Sequence, residues 1–350
     1  MSGTDDFRMI RPVAVLDANL TSTTVPEAMV AAYAGGTPYA LGARSGITVG
    51  TVQTVYESLQ NSNTGHAPAS SPTWWKVVGV VYAAYAGGAT YALADIVSNI
   101  GADVHELYKS QVASNLGNAL SDTTKWLRLG STNARAMFDD TYDSQTTNAD
   151  SIVTVLTMGT ATNTLYLGNL DASSVTVEQS VSGFSRTINL NSHPVTNWYD
   201  FYYEDLIRIQ DMVLTNLPPY PGSTITVTIN NPGGTAKCGI CLVGKGISIG
   251  TTQQDMSASF VSFSGTTTDG FGYTTFAKRG NLKTLDLEVD IFPGFEDEAF
   301  RILDKFSDVA MLFITTTQNT LGMLYGSLQG WTVPKGFSGK KAPIKLKGLK

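Results

Sequence analysis

The chain has 350 residues, of which 15% are charged and 42% hydrophobic, with 34 glycines and a formal charge of −6. Length allows two or three domains, and the low charge with abundant Gly, Ser and Thr points to β-rich, turn-dense structure rather than disorder. An acidic chain excludes a dedicated nucleic-acid binder, whose phosphate contacts need an excess of Lys and Arg; two cysteines and three histidines exclude an ordinary zinc framework.

Residues 1–30 read as an N-terminal arm. The start, MSGTDDFRMIRPV, lacks the order of a signal peptide, and no apolar run reaches the ~18 residues of a membrane helix. The expectation is synthesis in a cytoplasm, without membrane insertion.

Two repeats follow, over 31–80 and 81–143. AAYAGGTPYAL from Ala31 returns as AAYAGGATYAL from Ala83, an offset of 52 residues. In that register Tyr33 meets Tyr85, Tyr39 meets Tyr91, Tyr56 meets Tyr108, Asn63 meets Asn115 and Trp74 meets Trp126; by Gly79 and Gly130 the offset has slipped to 51. Each repeat reads as a small β module of short strands between Gly, Asn, Ser and Pro. DIVSNIGADVHELYKSQVAS admits a helix, but VHELYKS is taken as a strand because its counterpart in the first repeat reads as one.

From 144 to 246 the runs SIVTVLTM, NTLYLGNL, SVTVEQSV, STITVTIN and CGICLVG alternate in the β period and predict a β-sandwich or jelly roll. A long connection, FYYEDLIRIQDMVLTNLPPYPGS, crosses it; the aromatic run Trp198, Tyr199, Phe201, Tyr202 and Tyr203 is open to core, interface or ligand roles. Residues 247–350 predict a C-terminal α+β domain. LKTLDLEVDIF reads as a strand, PGFEDEAFRILDKFSD as one helix on the sheet, and VAMLFITTT, LGMLYGSLQGWTV and APIKLKGL as further strands. The fold class is therefore mainly β.

Few residues offer chemistry. Cys238 and Cys241 form a C-G-I-C within what reads as one strand, where positions three apart face opposite ways; they are expected to be two reduced core cysteines. His66, His105 and His193 have no partner at a defensible spacing, and the chain shows no P-loop, no nucleophile elbow and no dinucleotide fingerprint. The acids Glu296, Asp297 and Glu298 suit a helix N-terminus. No catalytic residue, metal or cofactor is expected.

The aromatics say more. Tyr33, Tyr39, Tyr56, Trp74 and Trp75 in the first repeat, with Tyr85, Tyr91, Tyr108 and Trp126 in the second, are candidates for stacking on sugar rings. A module this small also needs rings for its core, so both roles stay open, and of Trp74 and Trp75 one is expected to face outward. The last sixteen residues hold six lysines, at 335, 340, 341, 345, 347 and 350, and no acid. Lys340, Lys341, Lys345 and Lys347 are candidates for docking on an acidic neighbour, against the alternative of a frayed terminus.

The opening YAGGTxYA, the middle YESLQNSNTGHxP and the close PTWWKVVG make the first repeat resemble the small chitin-binding-type carbohydrate-binding modules, which are often appended to phage tail proteins. The second repeat lacks the proline and one tryptophan. WLRLGSTNARAMFDD resembles a segment common in tailed-phage structural proteins. PPYPGSTITVTI, CGICLVGKGISIGTT and TDGFGYTTFAKRG look like the C-terminal part of phage tail and baseplate proteins, and the strand, helix, strand order is similar to distal tail proteins and tail-tube relatives. These resemblances imply a non-enzymatic virion protein of the tail tip or baseplate. It would form a homo-oligomeric ring, sixfold preferred and threefold the alternative, with other tail proteins as partners and no specific nucleic acid. The alternative is a receptor-binding or fibre protein that holds host surface polysaccharide.

Overall fold

The computed structural model of the protein describes residues 6–191, 197–203, 208–252, 256–316, 320–333 and 341–349. His193, Lys335, Lys340 and Lys350 lie outside them. The chain is mainly β.

Strands β1 (Asp6–Pro12) and β2 (Leu20–Thr23) open the chain. The first module holds β3 (Arg44–Val49), β4 (Val52–Ser58) and β5 (Trp75–Tyr82) in one three-stranded sheet. The second holds β6 (Thr90–Tyr91), β7 (Ile96–Gly101), β8 (Val104–Ser110), β9 (Asn115–Leu116) and β10 (Trp126–Ser131). There β7, β8 and β10 repeat the three-stranded sheet, and β6 pairs with β9 where the first module has the isolated bridge between Tyr39 and Asn63. VHELYKS is thus a strand. Two-residue loops join β3 to β4 and β7 to β8, a length that favours positive φ; Gly50 supplies it at 61° and Asp103 at 57°.

The next strands are β11 (Thr146–Thr157), β12 (Thr164–Gly168), β13 (Ser174–Gln179) and β14 (Phe184–Asn189), then the short helix α1 (Trp198–Tyr203), β15 (Met212–Leu214), β16 (Thr224–Cys238) and β17 (Ile240–Thr252). A five-stranded sheet in the order β14-β13-β16-β11-β2 packs on β15, β12 and the first half of β17. The core between them is apolar because inward positions alternate along each strand: Ile152 and Leu156, Val175 and Val177, Ile225, Val227 and Ile229. This is the sandwich.

The chain continues through β18 (Ser257–Ser262), β19 (Gly265–Thr268), β20 (Thr274–Ala277), β21 (Asn281–Ile291), helix α2 (Glu296–Lys305), β22 (Met311–Ile314), β23 (Met323–Trp331) and β24 (Lys341–Gly348). Hydrogen-bonded neighbours run β17-β1-β22-β23-β24-β21, and β21 pairs back to β17 through Ile291 with Gly250. Six antiparallel strands therefore close a barrel. Phe7, Met9, Leu285, Leu287, Val289, Phe313, Ile344 and Leu346 belong to its core, and α2 adds Ala299 and Leu303 from its apolar face. The acids Glu296, Asp297 and Glu298 occupy the first turn of α2 and oppose its dipole.

Three expected boundaries are redrawn. From Asp6 on, the expected arm is built into the body: β1 is a barrel stave and β2 an edge of the five-stranded sheet. No break falls at 246, because β17 runs through it, pairing with β12 over Ile240–Gly244 and with β21 over Gly250–Thr252. The cysteine strand is two strands. A turn at Gly239 separates them, so Cys238 and Cys241 do not face opposite ways but join one core. A Cβ at Gly239 would lie 2.4 Å from the Tyr142 carbonyl oxygen, which is why that turn needs glycine.

Candidate functional site

Each module is organised round three rings. In the first, Tyr33 stacks on Tyr39 at 5.8 Å, and Trp75 meets them edge-on at 5.9 and 4.9 Å. In the second, Tyr85 stacks on Tyr91 at 6.1 Å, with Trp126 edge-on at 5.7 and 5.2 Å. The indole N–H of Trp75 donates to the His66 carbonyl (2.7 Å) and that of Trp126 to the Asn118 carbonyl (3.0 Å). The hydroxyls of Tyr39 and Tyr91 accept from the amides of Ala34 and Ala86.

The counterpart of Trp126 is therefore Trp75, and not Trp74 as the 52-residue register has it. His66 and Asn118 still match at that offset, whereas the Trp75 and Trp126 amides both reach the carbonyl of a residue four before them, Ser71 and Asp122. The one-residue deletion lies between. Lys125 stands where the first module has Trp74, and the side-chain amides of Asn63 and Asn115 reach the carbonyls of Trp74 and Lys125.

This geometry divides the candidates. Trp75 and Trp126 are each 2% exposed and Tyr91 5%, so these rings are core and present no face to a sugar. Tyr33, Tyr39 and Tyr85 are half-buried parts of the same triads, and Tyr56 and Tyr108 are half-buried on their strands. Tyr108 donates to Glu106 at 2.5 Å, which raises its pKa. Trp74 is different. It is partly exposed and stacks on the His66 ring at 3.8 Å and 14°, so it is the outward member of the pair, and the second module has no equivalent.

Of the C-terminal lysines, Lys341, Lys345 and Lys347 lie on a strand interior to the barrel wall. In β24, Ala342, Ile344 and Leu346 point into the core while Lys341, Lys345 and Lys347 point out. Across the β21 register Lys345 stands opposite Asp286 and Lys341 opposite Asp290, and Lys341 bridges Glu288 at 3.4 Å. The acidic neighbour of this basic segment belongs to the same chain. Docking on another protein is not needed to explain these charges, and neither is a frayed end.

Several polar groups converge without any signal from spacing. His105 contacts Asp17 through Nε2 (2.6 Å) and Glu27 through Nδ1 (2.8 Å), although the three are far apart in sequence. Arg135 bonds Asp17, and Asp17 and Asp103 exchange amide-to-carboxylate bonds. Together they clamp the second module to the segment between β1 and the first module. The Asp103 amide, with His105 and Arg135, holds the Asp17 carboxyl below its ordinary value against a desolvation that raises it.

A second convergence lines a cleft of about 620 Å³ between sandwich and barrel. Tyr142 and Tyr166 both donate to Asp211 Oδ1, at 2.9 and 2.8 Å. Burial, then Asp211, raises both phenols. Lys283, on the barrel side, donates to the Met323 carbonyl (2.7 Å), and burial lowers its pKa. Asp211 comes from the long connection and Lys283 from β21, so no motif could announce that both line one cleft.

The most exposed rings lie elsewhere. Phe271 is 89% exposed, Tyr273 74%, Phe276 67%, Phe260 65% and Phe263 51%, all in or beside the β18–β20 segment. On α1, Trp198, Tyr199, Tyr202 and Tyr203 are also exposed, so these four are not core. Among the described residues no helix is long and apolar enough to cross a membrane. No protein-family model matches the chain, and no curated protein or solved structure matches it either.

Proposed function

We propose that this chain is a non-catalytic structural component of a tailed-bacteriophage tail tip or baseplate, of the distal-tail or hub-ring type. It works as a homo-oligomer beside other tail proteins, with its two N-terminal modules as rigid spacers. The observation that carries the reading is the group of exposed aromatics in and beside β18–β20, Phe260, Phe263, Phe271, Tyr273 and Phe276, since large apolar side chains left to water in one segment mark an interaction surface. The use of the module triads as core, and the Asp17–His105–Glu27 clamp, support the spacer role. The resemblance of the sequence to virion modules and tail segments supplies the setting. The test is immunogold electron microscopy of purified particles with antibody against the modules. Label at the tail tip is expected; particles that carry none reject the reading.

A second reading, binding of host surface polysaccharide, is favoured by Trp74 and His66, an accessible stacked pair in the first module alone. The variant that tests it is Trp74→Ala, since Trp75→Ala would damage the core. Loss of retention on host cell-wall polysaccharide, with unchanged circular dichroism, is expected if that reading holds. Equal retention by variant and parent discards it.

A further inference from the structure

The hairpin β19–β20 is an isolated two-stranded sheet, and every residue of its two strands is exposed. Such a hairpin is marginal in water without a third strand or an apolar surface to lie on. What holds it locally is polar. Thr267 pairs with Thr275 (3.1 Å) and Thr268 with Thr274 (3.0 Å), while Asp269 accepts from the amides of Phe271 and Tyr273, both at 2.9 Å. Its rings are left facing outward. Strand β18, from which it springs, is the edge of the large sheet, and Phe260 and Val261 are both exposed although they point to opposite faces.

The five rings between Phe260 and Phe276 together offer on the order of 700 Å², close to the ~800 Å² that each partner gives to a standard interface. A surface of the same character exists on the sandwich of the same chain. In α1, Trp198 stacks over Tyr202 at 6.0 Å and Tyr199 lies by Tyr203 at 5.2 Å, with exposures of 67 to 76%. Charge is complementary as well. Lys278 and Arg279 are exposed at the base of the hairpin, and α1 (Trp198–Tyr203) carries one acid, Asp200, and no base. Two different, matching patches on one chain are what a head-to-tail contact requires.

We infer that the β19–β20 hairpin of one copy docks on the α1 aromatic face of the next copy, in a heterologous contact that can propagate to a ring. This rests on the proposed structural role and names the surfaces that carry it. The experiment is light scattering of the purified full chain and two variants. One carries Phe271→Ser, Tyr273→Ser and Phe276→Ser; the other carries Tyr199→Ser and Tyr203→Ser. All five positions are solvent-exposed, and circular dichroism and the melting temperature report that each variant folds. The parent is expected as an oligomer and each variant alone as a monomer. An equimolar mixture should stop at the dimer, since one intact contact remains between a hairpin-defective and an α1-defective copy.

A monomeric parent, or a hairpin variant that still assembles like the parent, overturns the inference. So does an α1 variant that assembles like the parent, or a mixture that stays monomeric; the hairpin's partner would then be a different surface or a different protein. The particle-labelling test reads separately: tail-tip label with a monomeric parent would keep the structural role and reject this contact.

Discussion

Trp75 and Trp126 occupy one position in two modules: each is 2% exposed, meets two tyrosines edge-on, and donates its indole N–H to a backbone carbonyl. The pair marks where the modules are most alike, and Trp74 marks where they differ. Trp75→Ala and Trp126→Ala are each expected to cost about 3–5 kcal/mol and to loosen the module that holds them. Trp74→Ala should stay within about 1 kcal/mol. Hydrogen exchange resolved by segment checks this: protection should fall in β4 for Trp75→Ala and in β8 for Trp126→Ala, and in neither for Trp74→Ala.

The C-terminal strand separates charge from burial. Ile344→Ala removes a fully buried barrel residue and is expected to cost about 2–5 kcal/mol. Lys345→Ala and Lys347→Ala remove exposed charges and should cost under about 1 kcal/mol each. A chain ending at Val333 loses β24 and opens the barrel between β23 and β21, so it should fail to reach a cooperative fold. Urea unfolding of the point variants checks these costs, and light scattering of the lysine variants distinguishes them from a docking tail, for which they would fold normally yet assemble poorly.

Acid should weaken the clamp at the second module. The Asp17 carboxyl is held below its ordinary value chiefly by the Asp103 amide. Glu106 is lowered by Arg128 and Tyr108, and Asp171, despite burial, by Lys237 and Arg208. A carboxyl with a depressed folded pKa stabilises above its unfolded value, near 4, and that contribution is lost as pH falls through the folded value. Asp139 works in the opposite sense, because burial raises its pKa; its ionised form destabilises near neutral pH, and protonation relieves this. The net expectation is falling stability below about pH 4, with a shallower acid limb in Asp17→Asn. Urea midpoints across the acid range check it, and an unchanged slope in the variant would remove Asp17 from the account.

Both thiols should be silent in the folded protein. Cys238 and Cys241 are free and buried, and burial pushes Cys241 up to about 12 and holds Cys238 well above its ordinary value. A thiolate is the reactive form, so a disulfide reagent at neutral pH is expected to label neither until denaturant is added, and then both. Rapid labelling of the native chain would show that the β16–β17 turn opens.

Much of the local structure could be read from the residues. Alternation in VQTVYES and LKTLDLEVDI marks β4 and β21, and the acids before apolar positions mark α2. The repeat register holds until His66 and Asn118; the slip to 51 is visible by Gly79 and Gly130, but its place in the polar loop, and with it the match of Trp126 to Trp75, is not, because loop residues carry no fixed pattern to align. What could not be read is pairing between distant strands. The closure of β21 onto β17 and the facing of Lys345 by Asp286 depend on register, and a period-2 pattern fixes a strand's faces but not its neighbours. His105 shows the same limit in side chains: nothing in its surroundings names Asp17 or Glu27, which the fold brings from another segment. Gly239 carried a usable signal, since glycine inside an apparent strand often marks a bend.

Strand β17 has thirteen residues, a span of roughly 40 Å. Because it is one unbroken backbone shared by sandwich and barrel, load applied to either is passed to the other in shear, along rows of hydrogen bonds to β12 and β1, with no pivot between them. The two halves behave as a single lever, and pulling them apart means breaking those rows together.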